Sequence, residues 1–292
     1  MTATKPIQFG VASYGFREYS LPEFFKACKE MNISAVEIDA GWLLEESRNK
    51  ISVDATPQEI DEVKRLALEA GVEVVALGGG AVVEVEGEVS KDRSKEIIKV
   101  IDLAEALGAS VIRVFTEHDF SASKHYVLPA ERVTDDLYET LGLAFNNLGS
   151  YLKGKNIRVG IENHGGSSAT GLGVKRLLDM VPYQEVGVTY DPANYAAAGG
   201  DPYEALKLTE DRVVYTHWKD FEHTEDGGRY RAFGEGEIDW NPIFETLVKS
   251  FQGLWAIEFE SKQSSTIEAL MDGTRRSVEN LKTVLERVRS EA

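Results

Sequence analysis

Residues 54–77 read DATPQEIDEVKRLALEAGVEVVAL, and they hold one complete structural unit. Asp54-Ala55-Thr56-Pro57 offers a helix cap followed by a proline in the first turn, where the missing N–H has no intrahelical partner to lose. Ile60, Val63, Leu66, Ala67 and Ala70 follow at three- and four-residue spacing, the apolar stripe of an amphipathic helix. Gly71 stands just past that helix and leads into the β-branched run 73–77. The same punctuation recurs downstream. Ile97, Val100, Ile101, Ala104 and Leu107 form a stripe, Gly108 ends it, and the run 111–115 begins.

Further runs of this kind lie at residues 7–12, 35–38, 158–161, 186–190, 213–217 and 255–259, which makes about eight strands with helical patterns between them. Strict alternation implies parallel strands joined by right-handed crossovers. Eight such units in 292 residues predict an α/β fold, a (β/α)8 TIM barrel in a single domain spanning 1–292. An open doubly wound sheet would carry a glycine fingerprint after its first strand, and Ala12-Ser13-Tyr14-Gly15-Phe16-Arg17 supplies none. Gly171-Leu172-Gly173 comes nearer, but Arg176 holds the place of the third glycine. Two long connections, 116–130 and 218–241, follow predicted strands and so fall on the catalytic face as candidate substrate covers.

Lys and Arg number 32 against 49 Asp and Glu, a net charge of −17 that opposes binding to a nucleic-acid backbone. The single cysteine, Cys28, excludes an intramolecular disulfide and favours a reducing compartment. The N-terminal residues lack a signal-peptide core, and no run approaches the ~18 apolar residues of a membrane span. A cytoplasmic protein without membrane partners is expected.

Strands of a parallel barrel are covered on both faces, so polar residues at their C-terminal ends carry the information. Four successive strands end in this way: Val159-Gly160-Ile161-Glu162-Asn163-His164, Val188-Thr189-Tyr190-Asp191-Pro192-Ala193-Asn194, Val214-Tyr215-Thr216-His217-Trp218-Lys219-Asp220 and Ala256-Ile257-Glu258-Phe259-Glu260. Three carboxylates on one rim repel one another, and a divalent cation removes that cost. Oxygen donors with one imidazole and no thiolate suit Mn2+, which we take first, with Mg2+, Co2+ and Zn2+ as alternatives. Lys219 shares the rim, either to hold a substrate oxygen or to pair with Asp220 or Glu258. Arg113, an arginine inside a strand, needs a partner and is a candidate binding residue. Arg229 and Arg231 are candidates for substrate hydroxyls or a phosphate, and Tyr14, Phe16 and Trp218 for apolar walls.

At Ile-Glu-Asn-His-Gly, Asp-Pro-Ala-Asn, Thr-His-Trp-Lys-Asp, Phe-Gly-Glu-Gly-Glu-Ile-Asp-Trp and Ile-Glu-Phe-Glu, the chain resembles the xylose-isomerase-like barrel superfamily of sugar (phosphate) isomerases and epimerases. The resemblance implies that Glu162, Asp191, His217 and Glu258 are metal ligands and that Glu162 and Glu258 also exchange protons with substrate. Glu260 is the rival for the last place, because residues two apart share a strand face. The chain departs from ketose epimerases at Asn194, where many of them have histidine; Asn194 and His164 are candidate substrate contacts.

The resemblance thus implies a metal-dependent isomerase or epimerase that takes a proton from the carbon next to a carbonyl of a keto- or aldo-sugar, through an enediolate. Loss of a β-hydroxyl from the same intermediate is dehydration, so a keto-cyclitol or keto-sugar dehydratase is the alternative. Abasic-site endonucleases of the superfamily use several zincs, for which five histidines (His118, His125, His164, His217 and His223) and a charge of −17 are a poor match. A non-catalytic sugar-binding barrel is the remaining class. The negative field tilts the substrate towards an unphosphorylated sugar or cyclitol. Such barrels often associate as homo-oligomers, and nothing in the sequence marks an interface.

Overall fold

The computed structural model describes residues 8–41, 47–119, 128–225, 227–260 and 266–291. In chain order, β1 (Gln8–Ala12), α1 (Leu21–Glu30), β2 (Ala35–Asp39), α2 (Pro57–Ala70) and β3 (Glu73–Glu86) open the barrel. After β4 (Val89–Asp92) come α3 (Ser94–Leu107), β5 (Val111–Asp119), α4 (Asp135–Leu152), β6 (Arg158–Glu162) and α5 (Gly171–Asp179). The chain continues through β7 (Val186–Tyr190), α6 (Pro192–Ala197), α7 (Pro202–Thr209) and β8 (Val213–Trp218). It ends with β9 (Asp220–Glu222), β10 (Arg229–Arg231), α8 (Trp240–Ser250), β11 (Leu254–Ile257) and α9 (Ile267–Glu291). Parallel pairing runs β1–β2–β3–β5–β6–β7–β8–β11, and β11 returns to β1, so the eight strands close into a (β/α)8 barrel.

Local sequence explains the element ends. Thr56 caps α2, accepting from the Glu59 N–H while the Glu59 carboxylate takes the Thr56 N–H at 2.7 Å. Gly71 and Gly108 close α2 and α3 in the left-handed conformation. Among the described residues, no helix is long and apolar enough to cross a membrane.

The strands depart from expectation in one respect. Gly78-Gly79-Gly80 reads as a strand end, yet β3 runs on to Glu86, turns and pairs antiparallel with β4. β5 follows it as far as Val85 beside Asp119, which raises a three-stranded flap from the barrel wall. Buried Val82, Val83 and Val85 hold that flap in the core. Much of the expected 116–130 cover lies outside the described residues, as does His125. The 218–241 connection contains the β9–β10 hairpin, and buried Asp220 fixes it. Its Oδ1 accepts from the N–H groups of Phe221 (2.8 Å) and Ile238 (3.3 Å). Its Oδ2 accepts from Gly234 N–H (3.0 Å) and Trp240 Nε1 (2.9 Å).

Alternation divides each strand between two environments. Val36, Ile38, Ile112, Val114, Val159 and Ile161 are fully buried against the helices. Trp218 stacks on Trp255 at 5.0 Å within an aromatic cluster that includes Phe233, Trp240 and Phe244. The opposite faces carry Ala35, Ala76, Tyr215, Leu254 and Ala256, which form a separate small cluster inside the barrel. Ala35 shares its face with Glu37 and Asp39, Tyr215 with His217, and Ala256 with Glu258. The charged residues therefore sit directly above this apolar floor.

Candidate metal and active site

Glu162 ends β6, Asp191 directly follows β7, His217 is the penultimate residue of β8, and Glu258 directly follows β11. One ligand atom from each lies within 4.8 Å of the other three, and all four side chains are buried. Asp191 is also the N-cap of α6. Its Oδ1 accepts from the Asn194 N–H at 3.1 Å, which leaves Oδ2 to the Lys219 ammonium, 2.8 Å away. Asn163 ties the ends of β6 and β7 together, donating from Nδ2 to the Asp191 carbonyl (2.7 Å) and accepting the Asp191 N–H (2.9 Å).

The His217 ring stands between two groups of carboxylates. Nδ1 faces Glu162 Oε1 at 3.2 Å and Glu258 Oε1 at 3.5 Å, whereas Nε2 faces Glu37 Oε2 at 2.9 Å. Arg113 lies among Glu37 (3.0 Å), Asp39 (3.2 Å) and Glu162 (3.4 Å), and its guanidinium is 4.8 Å from the Phe115 ring. Lys219 pairs with Glu258 as well as Asp191 and lies 3.6 Å from Glu260. Asp220 is not its partner, being occupied with the hairpin. Glu258 joins the cluster, while Glu260 stands further out with 21% of its side chain exposed.

The remaining candidates fall in different places. Asn194 directs Nδ2 to Glu162 Oε1 at 3.4 Å, and its Oδ1 accepts the Tyr230 hydroxyl at 2.8 Å. His164 is exposed at the rim with its ring 4.9 Å from Phe115. Arg229 is exposed and pairs with Glu222 at 3.1 Å, and Arg231 meets the same carboxylate at 3.4 Å. Trp218 and Phe16 are core residues, Phe16 packing on Phe24 at 5.2 Å. Three residues near the cluster were not anticipated: Glu37, Asp39 and Tyr230. The first two had a signal in Ala35-Val36-Glu37-Ile38-Asp39, because acids in a strand covered on both faces need a partner as much as Arg113 does.

Burial opposes ionisation of Glu37, but Arg113 and His217 outweigh it and hold its carboxyl down to about 2. Burial pushes Asp39 up to about 6 despite Arg113. Glu162 is lowered, because Arg113 and His217 again overcome its burial. His217 is raised well above the usual histidine range: burial works against the charged ring, and Glu258, Glu37 and Glu162 outweigh it. With His217 neutral, the buried acids Glu37, Asp39, Glu162, Asp191 and Glu258 outnumber the buried cations Arg113 and Lys219. The excess negative charge that draws a proton to His217 equally suits a divalent cation. Three oxygen donors and one nitrogen, converging from four strands, fit such an ion.

Residues 25–284 match the family described as xylose isomerase-like TIM barrel. Among curated proteins, the chain is similar to inosose dehydratase of Lacticaseibacillus casei, with 25% identity over 278 residues, covering 86% of this chain and 88% of the relative. A D-tagatose 3-epimerase-like protein of known structure superimposes with a TM-score of 0.72 at 20% identity, covering 98% of this chain and 99% of that one. The structure of IOLI protein with a binding zinc atom gives 0.69 at 14% identity, covering 97% and 99%. These two structural likenesses speak to the fold alone.

Proposed function

The chain belongs to the xylose isomerase-like TIM barrel family, and from that premise we propose that it is a divalent-metal-dependent isomerase or epimerase of an unphosphorylated sugar or sugar derivative. The observation that carries the reading is the approach of Glu162 and Glu258 from different strands to one buried point, 3.2 and 3.5 Å from His217 Nδ1. A divalent ion held by Glu162, Asp191, His217 and Glu258, with Mn2+ our first choice, would polarise a carbonyl and the hydroxyl beside it.

Glu162 and Glu258 then serve as proton acceptor and donor at the carbon next to the carbonyl, passing through an enediolate. Lys219 sets a positive charge beside both Asp191 and Glu258, where oxyanion character develops. Asn194 and Tyr230 present an amide and a phenol to substrate hydroxyls, and exposed His164 offers a contact at the rim. Arg113, Lys219, Arg229 and Arg231 are each paired with carboxylates, which argues against any of these four serving a phosphate.

Dehydration is the second reading, favoured by the similarity to inosose dehydratase. In that chemistry the Lys219 ammonium assists the departing hydroxyl. One experiment tests both: solvent-deuterium exchange followed by NMR with ketoses, aldoses and keto-cyclitols, free and phosphorylated. Label next to a carbonyl is expected with a free sugar or cyclitol, and the product distinguishes the two reactions. Absence of exchange and turnover across the panel overturns the proposal.

A further inference from the structure

We infer that Glu37 is a positioning residue that fixes the tautomer of His217, and thereby selects Nδ1 as the nitrogen offered to a metal. The inference rests on the metal reading above and concerns a residue on the far side of the ring from the cluster. Glu37 Oε2 lies 2.9 Å from His217 Nε2, a contact between β2 and β8, which are not neighbours in the barrel. The other oxygen, Oε1, accepts from Arg113 Nε (3.1 Å) and Nη2 (3.0 Å). Each oxygen thus has its own task.

A neutral imidazole carries one hydrogen, and a carboxylate paired with a guanidinium can only accept. In the neutral ring that metal ligation requires, the hydrogen therefore resides on Nε2, and Nδ1, on the side of Glu162 and Glu258, offers the lone pair. The same partnership of carboxylate and histidine orients metal-binding imidazoles in general, and removing the carboxylate weakens binding by about 10- to 100-fold. The fold reserves space for this arrangement. A Cβ on Gly78 would lie 2.7 Å from Arg113 Nη2 and 2.3 Å from Asp39 Oδ1, so only glycine lets the guanidinium reach Glu37 without a shift.

Glu37→Gln makes the assignment testable at nearly constant volume. Arg113 has no acceptor, so the glutamine must give its carbonyl oxygen to Arg113 and turn its amide NH2 towards His217. Nε2 then becomes the acceptor, and the ring hydrogen moves to Nδ1, where it faces the carboxylates and blocks ligation.

The experiment combines Zn2+ titration calorimetry with 15N NMR of histidine-labelled protein, using Zn2+ because it is diamagnetic. In the Zn2+-loaded wild type, the expected spectrum has the His217 hydrogen on Nε2 and the metal on Nδ1. In Glu37→Gln, Zn2+ affinity is expected to fall by about 10- to 100-fold. A hydrogen on Nδ1 of the loaded wild type overturns the inference even if the variant does not fold. So does a folded Glu37→Gln protein that binds Zn2+ as tightly as wild type. A wild type that binds no divalent ion overturns the metal reading itself, a result distinct from either of these.

Discussion

The Tyr230 hydroxyl donates to Asn194 Oδ1 at 2.8 Å and thereby ties the β9–β10 hairpin to the metal-capable end of the barrel. The amide it holds directs Nδ2 to Glu162 Oε1 at 3.4 Å. Tyr230→Phe removes this link but keeps the ring, which lies 4.8 Å from the Lys219 ammonium. A net hydrogen bond of about 0.5–1.5 kcal/mol sets the expected loss in kcat/KM at about two- to tenfold, with little change in melting temperature. Steady-state kinetics beside a thermal melt checks this; a large fall in stability at unchanged kcat/KM would contradict it.

The wild-type protein is expected to carry about one divalent ion per chain by elemental analysis, and to release it on chelation. Glu162→Gln, Asp191→Asn and His217→Ala should each remove the ion, since the first two delete a converging negative charge and the third a converging donor. Full turnover by thoroughly chelated wild type would falsify the metal-dependent reading.

Asp220 is expected to matter for the hairpin rather than for the chemistry. Its four donors need four lone pairs, and Asp220→Asn replaces one acceptor oxygen with an NH2 that faces N–H groups. The expected cost is about 2–4 kcal/mol in urea unfolding. Faster hydrogen exchange at the Gly234 and Ile238 amides should accompany it; unchanged protection there would refute the anchoring role.

Glu37 and Asp39 should make opposite contributions to the pH dependence of stability in the chelated protein. Glu37 falls from 4.5 to about 2 on folding, so its contribution is fully present above pH 4.5 and is lost as pH falls towards 2. Asp39 rises from 3.8 to about 6, so its contribution is fully present below pH 3.8 and is lost as pH rises through 6. Urea unfolding of Glu37→Gln and Asp39→Asn across pH 2 to 7 should show these slopes disappearing separately. Identical pH profiles for both variants and the wild type would disprove the assignment.

The barrel was legible because its punctuation is local. Thr56-Pro57 and the glycines at 71 and 108 act through neighbouring residues, and the structure places caps at each. Polar strand ends were legible for a similar reason: Glu162, Asp191, His217 and Glu258 interrupt apolar runs. What escaped depends on distance or on facing. Arg113 needed a partner, but Glu37 lies 76 residues away, and nothing local pairs them. The extension of β3 was hidden because Gly78, which reads as a strand end, serves to admit a guanidinium. On the hairpin, charge singles out Arg229 and Arg231 in the sequence. Two-residue periodicity puts both beside Glu222 and sets Tyr230 on the opposite face, towards Asn194.

Asp191 splits its two oxygens between duties, one closing the first turn of α6 and the other turned to the cluster. A carboxylate that caps a helix and also faces a metal-capable cluster cannot let go of one task without disturbing the other. Were Asp191 to hold an ion, fraying of that first turn would free the carboxylate to swing, and escape of the ion would be gated by a local opening of the backbone. The lifetime of a bound metal would then be a clock for the breathing of six residues, Pro192–Ala197, and not a property of the donor atoms alone.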